Sequence, residues 1–375
     1  MRDEVPANES LWGIRNVETW DEGGEIDVEA PVRWNDSAIA EALRLGLAVP
    51  AKRGRHSLRE GIARIASQIE EWAWAGEALN GDGFEEEIAA LLASGAISLD
   101  PTLIRAALGD GAPYGARAIE WPAGVAERQA LIDAQNALFA GARVAISGSP
   151  SPVALSALAA SAALNGAPRA VTLTALDAAD ALRALSYQGD AITISSADTA
   201  EDSLVCGAIN LAALDTVEDI EAATRALVLA LEGAHAAGEA ASGKRVLKRP
   251  LAIGVVGLAE ALMRKGLAYD SDEGRAGAAA LIALISAAAI SVSAELAEKL
   301  GPCPAWPALR AKIEPKILAA REATLALKSQ AFADAAARAS ALWRAVKAPK
   351  GLRHGAFLAL RGDEAVLALA GARES

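Results

Sequence analysis

A chain of 375 residues that is 53% apolar and only 4% aromatic, with a formal charge of -12, is long enough to bury a sizeable core in one large α/β unit or in two to three ordinary domains. The acidic balance excludes a nucleic-acid surface, which needs clustered Lys and Arg. No charge-free apolar run reaches the roughly 18 residues of a membrane span, no basic-then-apolar leader opens the chain, and two cysteines, Cys206 and Cys303, suit a reducing compartment; the expectation is a cytoplasmic protein with neither nucleic acid nor membrane as partner.

In chain order, GEIDVEAPVRW (24–34) alternates like a strand or extended arm, and DSAIAEALRLGLAVP (36–50) predicts a helix capped by Asp36 or Ser37 and ended by Pro50. The basic run AKRGRHSLRE (51–60) reads as a solvated loop before a helix, with a phosphate or partner contact as the other reading. SLREGIARIASQIEEWAWAGEAL places Ile62, Ile65, Ile69 and Trp72 at three- and four-residue spacing. GFEEEIAALLASGAI opens with acids where the macrodipole favours them, and AERQALIDAQNALFAG follows. Together these predict an N-terminal arm followed by a mainly helical lobe over residues 1–140.

From residue 141 the rhythm changes to short β-branched strands alternating with helices, the pattern of an α/β unit over 141–375. The strands are ARVAIS, RAVTLTAL, DAITIS, LVCGAINL, PLAIGVV, GAFLALRG and EAVLALAG. Helices are expected at 151–165, 177–185, 217–240, 256–268, 273–300 and about 314–346, the fifth buried with a polar end.

Chemistry alone marks few sites. GVVGLA lacks the third glycine of a dinucleotide fingerprint, so its glycines read as room for strand-to-helix packing. VAISGSPSPVALSALAASAALNG runs from a strand through a Gly/Ser/Pro turn into a helix, so Ser147, Gly148, Ser149 and Ser151 are candidate anion ligands beside the plainer reading of a capped helix start. His56, His235 and His354 stand far apart with no carboxylate or cysteine at ligand spacing, so no metal site is readable. Cys206, with no histidine near it in sequence, reads as a small buried hydrophobe before a nucleophile.

The run CGAINLAALDTVEDIEAATRALVLALEGA, followed by KRPLAIGVVGLAEALMRKGLAYDSDEGRA and ISVSAELAEKLGPCPAW, resembles the catalytic subunit of ribonucleotide reductase, most closely the adenosylcobalamin-dependent class II type. Carrying the likeness are Cys206, Asn210, Leu211, Arg249, Pro250, Gly254, Gly257, Leu258, Ala259, Tyr269, Asp270 and Ser271, in the family's order. Weaker likeness runs over VEAPVRWNDSAIAEALRLGLAVP, SPSPVALSALAASAALNGAPRAVTLTALDAADALRAL and GLRHGAFLALRG. The resemblance implies a ten-stranded α/β barrel, here reduced because the family's catalytic subunits are much longer, with the Arg-Pro to Tyr-Asp-Ser stretch as one strand–helix step of its scaffold.

It also implies a chemistry that this chain does not supply. The family needs a radical cysteine in an Asn-x-Cys-x-Glu loop; its place falls on TISSA, where Thr193, Ser195 and Ala197 (or Ser196 after a one-residue slip) stand instead. Ser195 cannot replace the thiol, because an O–H bond is much stronger than an S–H bond. Cys206 matches one redox cysteine, no cysteine precedes it, and Cys303 falls outside the family's active site; a single cysteine closes no intramolecular disulfide. Where the family binds phosphate, RGDEAVLA offers Asp363 and Glu364. The expected protein is therefore α/β, a helical N-terminal lobe with a reduced ribonucleotide-reductase-like barrel, catalytically inactive and without cofactor. Its expected role is binding, structural or regulatory, with Asn210 as a further candidate ligand residue. The expected partner is a second copy met through helices 217–240 and 273–300, another complex component, or a full-length ribonucleotide reductase. The alternative is an active adenosylcobalamin-dependent ribonucleoside-diphosphate reductase, or another enzyme using the old pocket.

Overall fold

In the computed structural model, the described residues are 11–18, 24–51, 55–109, 117–122, 124–139, 144–165, 171–174, 192–194, 205–243, 245–346 and 350–358. The N-terminal region is not purely helical. Strands β1 (Trp12–Glu18) and β2 (Glu25–Pro31) form an antiparallel hairpin, and β3 (Val49–Pro50) and β4 (His56–Ser57) extend it into a sheet of order β1-β2-β4-β3. The alternation in residues 24–34 marked β2; β1 has its inward Val17 between polar neighbours and showed too short a pattern to register.

Helix α1 (Asp36–Arg44) is capped one residue earlier than its sequence suggests, by Asn35, whose Oδ1 accepts the Ala38 N–H at 2.8 Å. It ends at Leu45 and Gly46, not at Pro50, which lies in β3. Helix α2 (Leu58–Ala75) starts at Ser57, whose Oγ accepts the Glu60 N–H at 3.2 Å. It buries Ile62, Ile65 and Ile69, each such side chain contributing about 1.5–3 kcal/mol by leaving water. Helix α3 (Phe84–Ala93), strand β5 (Ile97–Leu99) and helix α4 (Pro101–Ala107) follow.

A second sheet is wholly parallel, in the order β6 (Arg117–Glu120), β7 (Val144–Ser147), β8 (Val171–Thr174), β9 (Ile192–Ile194). With α5 (Glu127–Phe139) and α6 (Pro152–Asn165) it encloses a small core of Trp121, Leu138, Ile146, Leu155 and Leu158. The helix expected at 177–185 and the strand at 364–371 lie outside the described residues.

The third sheet carries the sequence motifs. β10 (Val205–Asn210) pairs in parallel with β11 (Leu251–Val256), Val205 opposite Leu251, and antiparallel with β5, Gly207 opposite Leu99. Beyond β11, the Leu251 and Ile253 N–H groups donate to Ala356 and Phe357 at 3.0 and 2.9 Å, so the expected strand at 355–362 does lie along β11 as far as Leu358. Among the described residues the strands form these three sheets and no closed ring.

The large helices surround the third sheet. α7 (Val217–Ser242) crosses α2 at Gly233, where a Cβ would stand 2.8 Å from the Ala73 nitrogen, so only glycine permits the approach. α8 (Leu258–Arg264) is shorter than the predicted 256–268, and α9 (Asp272–Leu300) runs through the core, with Leu284, Ile285 and Ala288 fully buried. α9 is long and apolar enough to cross a membrane, yet 67% of its most apolar window is buried inside the protein. The apolar faces of α7 and α9, expected to meet another subunit, are instead covered within the chain by α2, α3 and the last helix. This main core draws on residues from both sides of residue 140.

The single helix expected at about 314–346 is two, α10 (Trp306–Ala326) and α11 (Ala333–Ala345). The break is held from a distant element. Glu273 of α9 accepts hydrogen bonds from Ser329 Oγ and from the Gln330 and Ala331 N–H groups at 2.7, 2.8 and 3.0 Å, and Phe332 packs on Gly277.

Candidate functional site

Cys206 lies in β10 opposite Ala252, 4% exposed, and its carbonyl accepts the Asp100 N–H at 3.1 Å. Cys303, 1% exposed, sits just after α9; its N–H donates to the Leu352 carbonyl, and burial pushes its thiol pKa up. Both are free thiols. The arrangement makes Cys303 a neutral S–H group rather than a ready nucleophile.

The end of β10 is stitched to the start of α8. Asn210 Oδ1 accepts the Ala212 N–H at 3.0 Å and so caps a short 3-10 turn. Gly257, at φ +69°, sits against it: a Cβ would lie 2.3 Å from Asn210 Oδ1 and 2.6 Å from the Ala212 nitrogen. Only glycine takes both that conformation and that approach. Arg264 closes the turn, donating to the Leu211 and Leu214 carbonyls at 2.6 and 3.0 Å and to Asp215 at 2.8 Å. Asn210, read from sequence as a candidate ligand residue, is thus committed to the turn. A cavity of about 220 Å³ opens beside it, lined by Thr216, Asp215, Arg264, Lys265, Phe332 and Asp334. Its mixed charges suit a small polar molecule, and strand C-terminal ends are where open α/β sheets place ligands.

The candidate anion turn brings Gly148, Ser149 and Ser151 to the start of α6, directly after β7 and Ser147. Gly148 takes φ +112° and a Cβ there would stand 3.1 Å from the Trp121 carbonyl oxygen. The turn already faces an anion from its own chain: Glu127 Oε1 accepts the Ser151 N–H at 2.6 Å and the Trp121 Nε1–H at 3.0 Å. The Ser151 N–H, then Trp121, hold the Glu127 carboxyl below the usual carboxylate range. Ser151 Oγ accepts the Ala154 N–H at 3.3 Å, as a cap does. An external phosphate would have to displace Glu127.

Of the remaining sequence-marked positions, Thr193 lies in β9 opposite Thr172. Ser195, Ser196, Ala197, Asp363 and Glu364 lie outside the described residues.

The strongest electrostatic feature was not marked as a unit by sequence reading. Glu232 of α7 is fully buried and receives Arg249 Nη2 and Nε at 2.8 and 3.2 Å, Arg353 Nε at 2.9 Å and His354 Nε2 at 3.0 Å. Arg249 also pairs with Glu239 at 2.7 Å. Ser293 Oγ accepts the His354 backbone N–H at 3.1 Å and stands 3.0 Å from Nδ1. A carboxylate at Nε2 and a hydroxyl donor at Nδ1 define the tautomer with its proton on Nε2. Burial raises the Glu232 pKa, and the His354 bond with Arg249 and Arg353 outweighs it, leaving the carboxyl well below its usual range. Burial drives His354 down, and burial followed by the Arg249 charge pushes the neighbouring His235 down to about 3, so both rings are neutral.

Arg249 holds a left-handed φ of +43° immediately before Pro250, a costly backbone for a non-glycine residue. The cluster offsets that cost by fixing α7, the entry to β11, α9 and segment 353–354 around one carboxylate. Its members are separated by up to 122 positions, which is why spacing could not show it; the Arg-Pro pair was its one local sign. With Glu232 and His354 at its centre fully buried, it is a structural clamp rather than a reaction centre.

The region that holds β10, β11 and this cluster is also where the chain is similar to known proteins. Residues 197–362 match the family described as "Ribonucleotide reductase, barrel domain". Over 58 residues the chain is 45% identical to a vitamin B12-dependent ribonucleotide reductase of Agrobacterium fabrum, covering 16% of this chain and 5% of that protein. The chain thus spans a small fraction of the curated relative that it matches.

Proposed function

We propose that this chain, a ribonucleotide-reductase-like protein across residues 197–362, keeps the scaffold of the vitamin B12-dependent type without its chemistry, and acts as a binding or structural protein. The observation that carries the reading is how the likeness is used. Asn210, Gly257 and Arg249, which bear the resemblance, are spent on a turn and a buried clamp, whereas serine occupies position 195 and no cysteine precedes Cys206.

Adenosylcobalamin does not fit the thiols present. Its role in the family is to oxidise a cysteine at the substrate, and here Cys206 and Cys303 are 4% and 1% exposed. A ligand for the retained shell would be a small polar molecule at the cavity beside Arg264 and Lys265.

The reading is tested by incubating the protein with adenosylcobalamin, a dithiol and each nucleoside di- and triphosphate. No deoxynucleotide should form. Product whose formation is abolished by Cys206→Ala would establish the active-reductase alternative.

A further inference from the structure

The segment between α2 and α3 is fastened to a distant helix. α2 stops at Gly76, Glu77 takes a left-handed φ of +54°, and residues 78–83 cross to α3 without regular structure. Lys299, near the end of α9, donates to the Leu79 carbonyl and to Asn80 Oδ1 at 2.8 and 2.7 Å. Beside this contact lies a cavity of about 310 Å³, walled by that segment, the first turn of α3 and one face each of α7 and α9. Small-molecule sites begin at about this size. It shares no lining residue with the cavity beside Arg264.

The charged groups on the lining are unevenly matched. Arg225 and Glu295 hold each other by two hydrogen bonds at 3.1 and 2.7 Å, a bidentate pair that satisfies itself. One ammonium, Lys299, and two carboxylates, Asp82 and Glu87, remain. An ammonium carries three donors; Lys299 uses two on neutral acceptors and makes no ion pair among the described residues. Asp82 likewise has no hydrogen bond or ion pair among the described residues. Much of the remaining lining is apolar, with Phe84, Val292 and Leu296 buried and Leu229 half-buried.

That inventory selects among ligands. Among the described residues no group of His, Cys, Asp and Glu could hold a metal ion. A phosphate ester or nucleotide would bring excess negative charge to one ammonium and two carboxylates, which repel it. A molecule with one carboxylate, one ammonium and an apolar body answers every group on the wall. We infer that this cavity binds a free apolar α-amino acid, its carboxylate on Lys299 and the Asn80 amide N–H, its ammonium on Asp82 and Glu87, and its side chain against Leu229 and Leu296. A ligand of about ten non-hydrogen atoms then binds at about 1 mM or tighter. The inference is independent of whether the chain is catalytic, because neither Cys206 nor Arg264 lines this cavity; its failure would leave the proposed function standing.

The test is isothermal titration calorimetry of the full chain with L-leucine and L-phenylalanine. The controls are 4-methylpentanoate and 3-phenylpropanoate, which lack the ammonium, and 3-methylbutylamine and 2-phenylethylamine, which lack the carboxylate. At least one amino acid should bind one to one, and its two analogues should bind about tenfold more weakly or worse. Asp82→Asn, at an exposed position without a protein partner, should weaken the amino acid about tenfold and leave the ammonium-free analogue unaffected. Lys299→Met should do the converse; because Lys299 also fastens the segment, its thermal melt is compared with wild type, and Asp82→Asn decides alone if that melt is lowered. Neither amino acid binding at about 10 mM, an analogue binding as tightly as its parent, or Asp82→Asn binding unchanged would each overturn the inference.

Discussion

Glu232 shows how much can rest on one side chain. Its two oxygens face Arg249, Arg353 and His354, with Arg249 2% and Arg353 12% exposed at the side chain. Glu232→Gln keeps the shape and removes the charge, leaving two guanidinium groups in the interior with Glu239 as the remaining carboxylate partner of Arg249. Breaking a buried pair in this way costs about 3–5 kcal/mol, and the loss should be read as a lowered midpoint in urea unfolding. The neighbouring histidines set the acid side of stability. His235 is neutral in the fold down to about 3, while in the unfolded chain it takes up a proton near 6.5. Its contribution is therefore fully present above that value and is lost progressively as pH falls toward 3. Glu232, also depressed, adds a loss of the same sign below about 4.5. Unfolding free energy should fall by about 1 kcal/mol from His235 alone between roughly pH 7 and 5.5, and a flat profile there would contradict a neutral buried ring. None of this was legible locally: His235 and His354 look unrelated in sequence, because proximity in a packed interior is not a function of spacing.

At the scale of elements, periodicity served where a helix or strand answers to its own pattern. The isoleucines of α2 and the apolar runs of β10 and β11 form the elements their spacing predicts. Residues 306–345 behave differently, since LALKSQAF contains no glycine or proline to stop a helix. The stop is made by Glu273, 56 positions from Ser329, and so depends on α9 already being in place. Glu273→Ala should speed hydrogen exchange at the Gln330 and Ala331 amides by about tenfold or more. The α9–α11 contact at Phe332 and Gly277 should persist. Unchanged protection at those amides would mean that the turn holds itself. The capping of α1 by Asn35 instead of Asp36 or Ser37 is a smaller case of the same kind, because three adjacent side chains can all cap and only the entering chain direction selects one.

For the molecule as a whole, the main core decides which apolar surfaces remain for a partner. The long alanine-rich faces of α7 and α9 read from sequence as surfaces for another subunit, and the fold covers them with α2, α3 and α11. Among the described residues, the outer side of α10 leaves Leu318 and Leu325 exposed. The sequence by itself determined the alternation of strands and helices after residue 141, the short apolar strands of the motif region and the likeness to ribonucleotide reductase across 197–362, because each is written in residue identity and local order. Only the tertiary structure decided that the N-terminal region contains a sheet, that Asn210 and Gly257 hold each other, that Glu127 fills the anion turn, and which helix faces solvent. Those depend on groups tens to more than a hundred positions apart coming within about 3 Å of one another, a distance that no local pattern encodes.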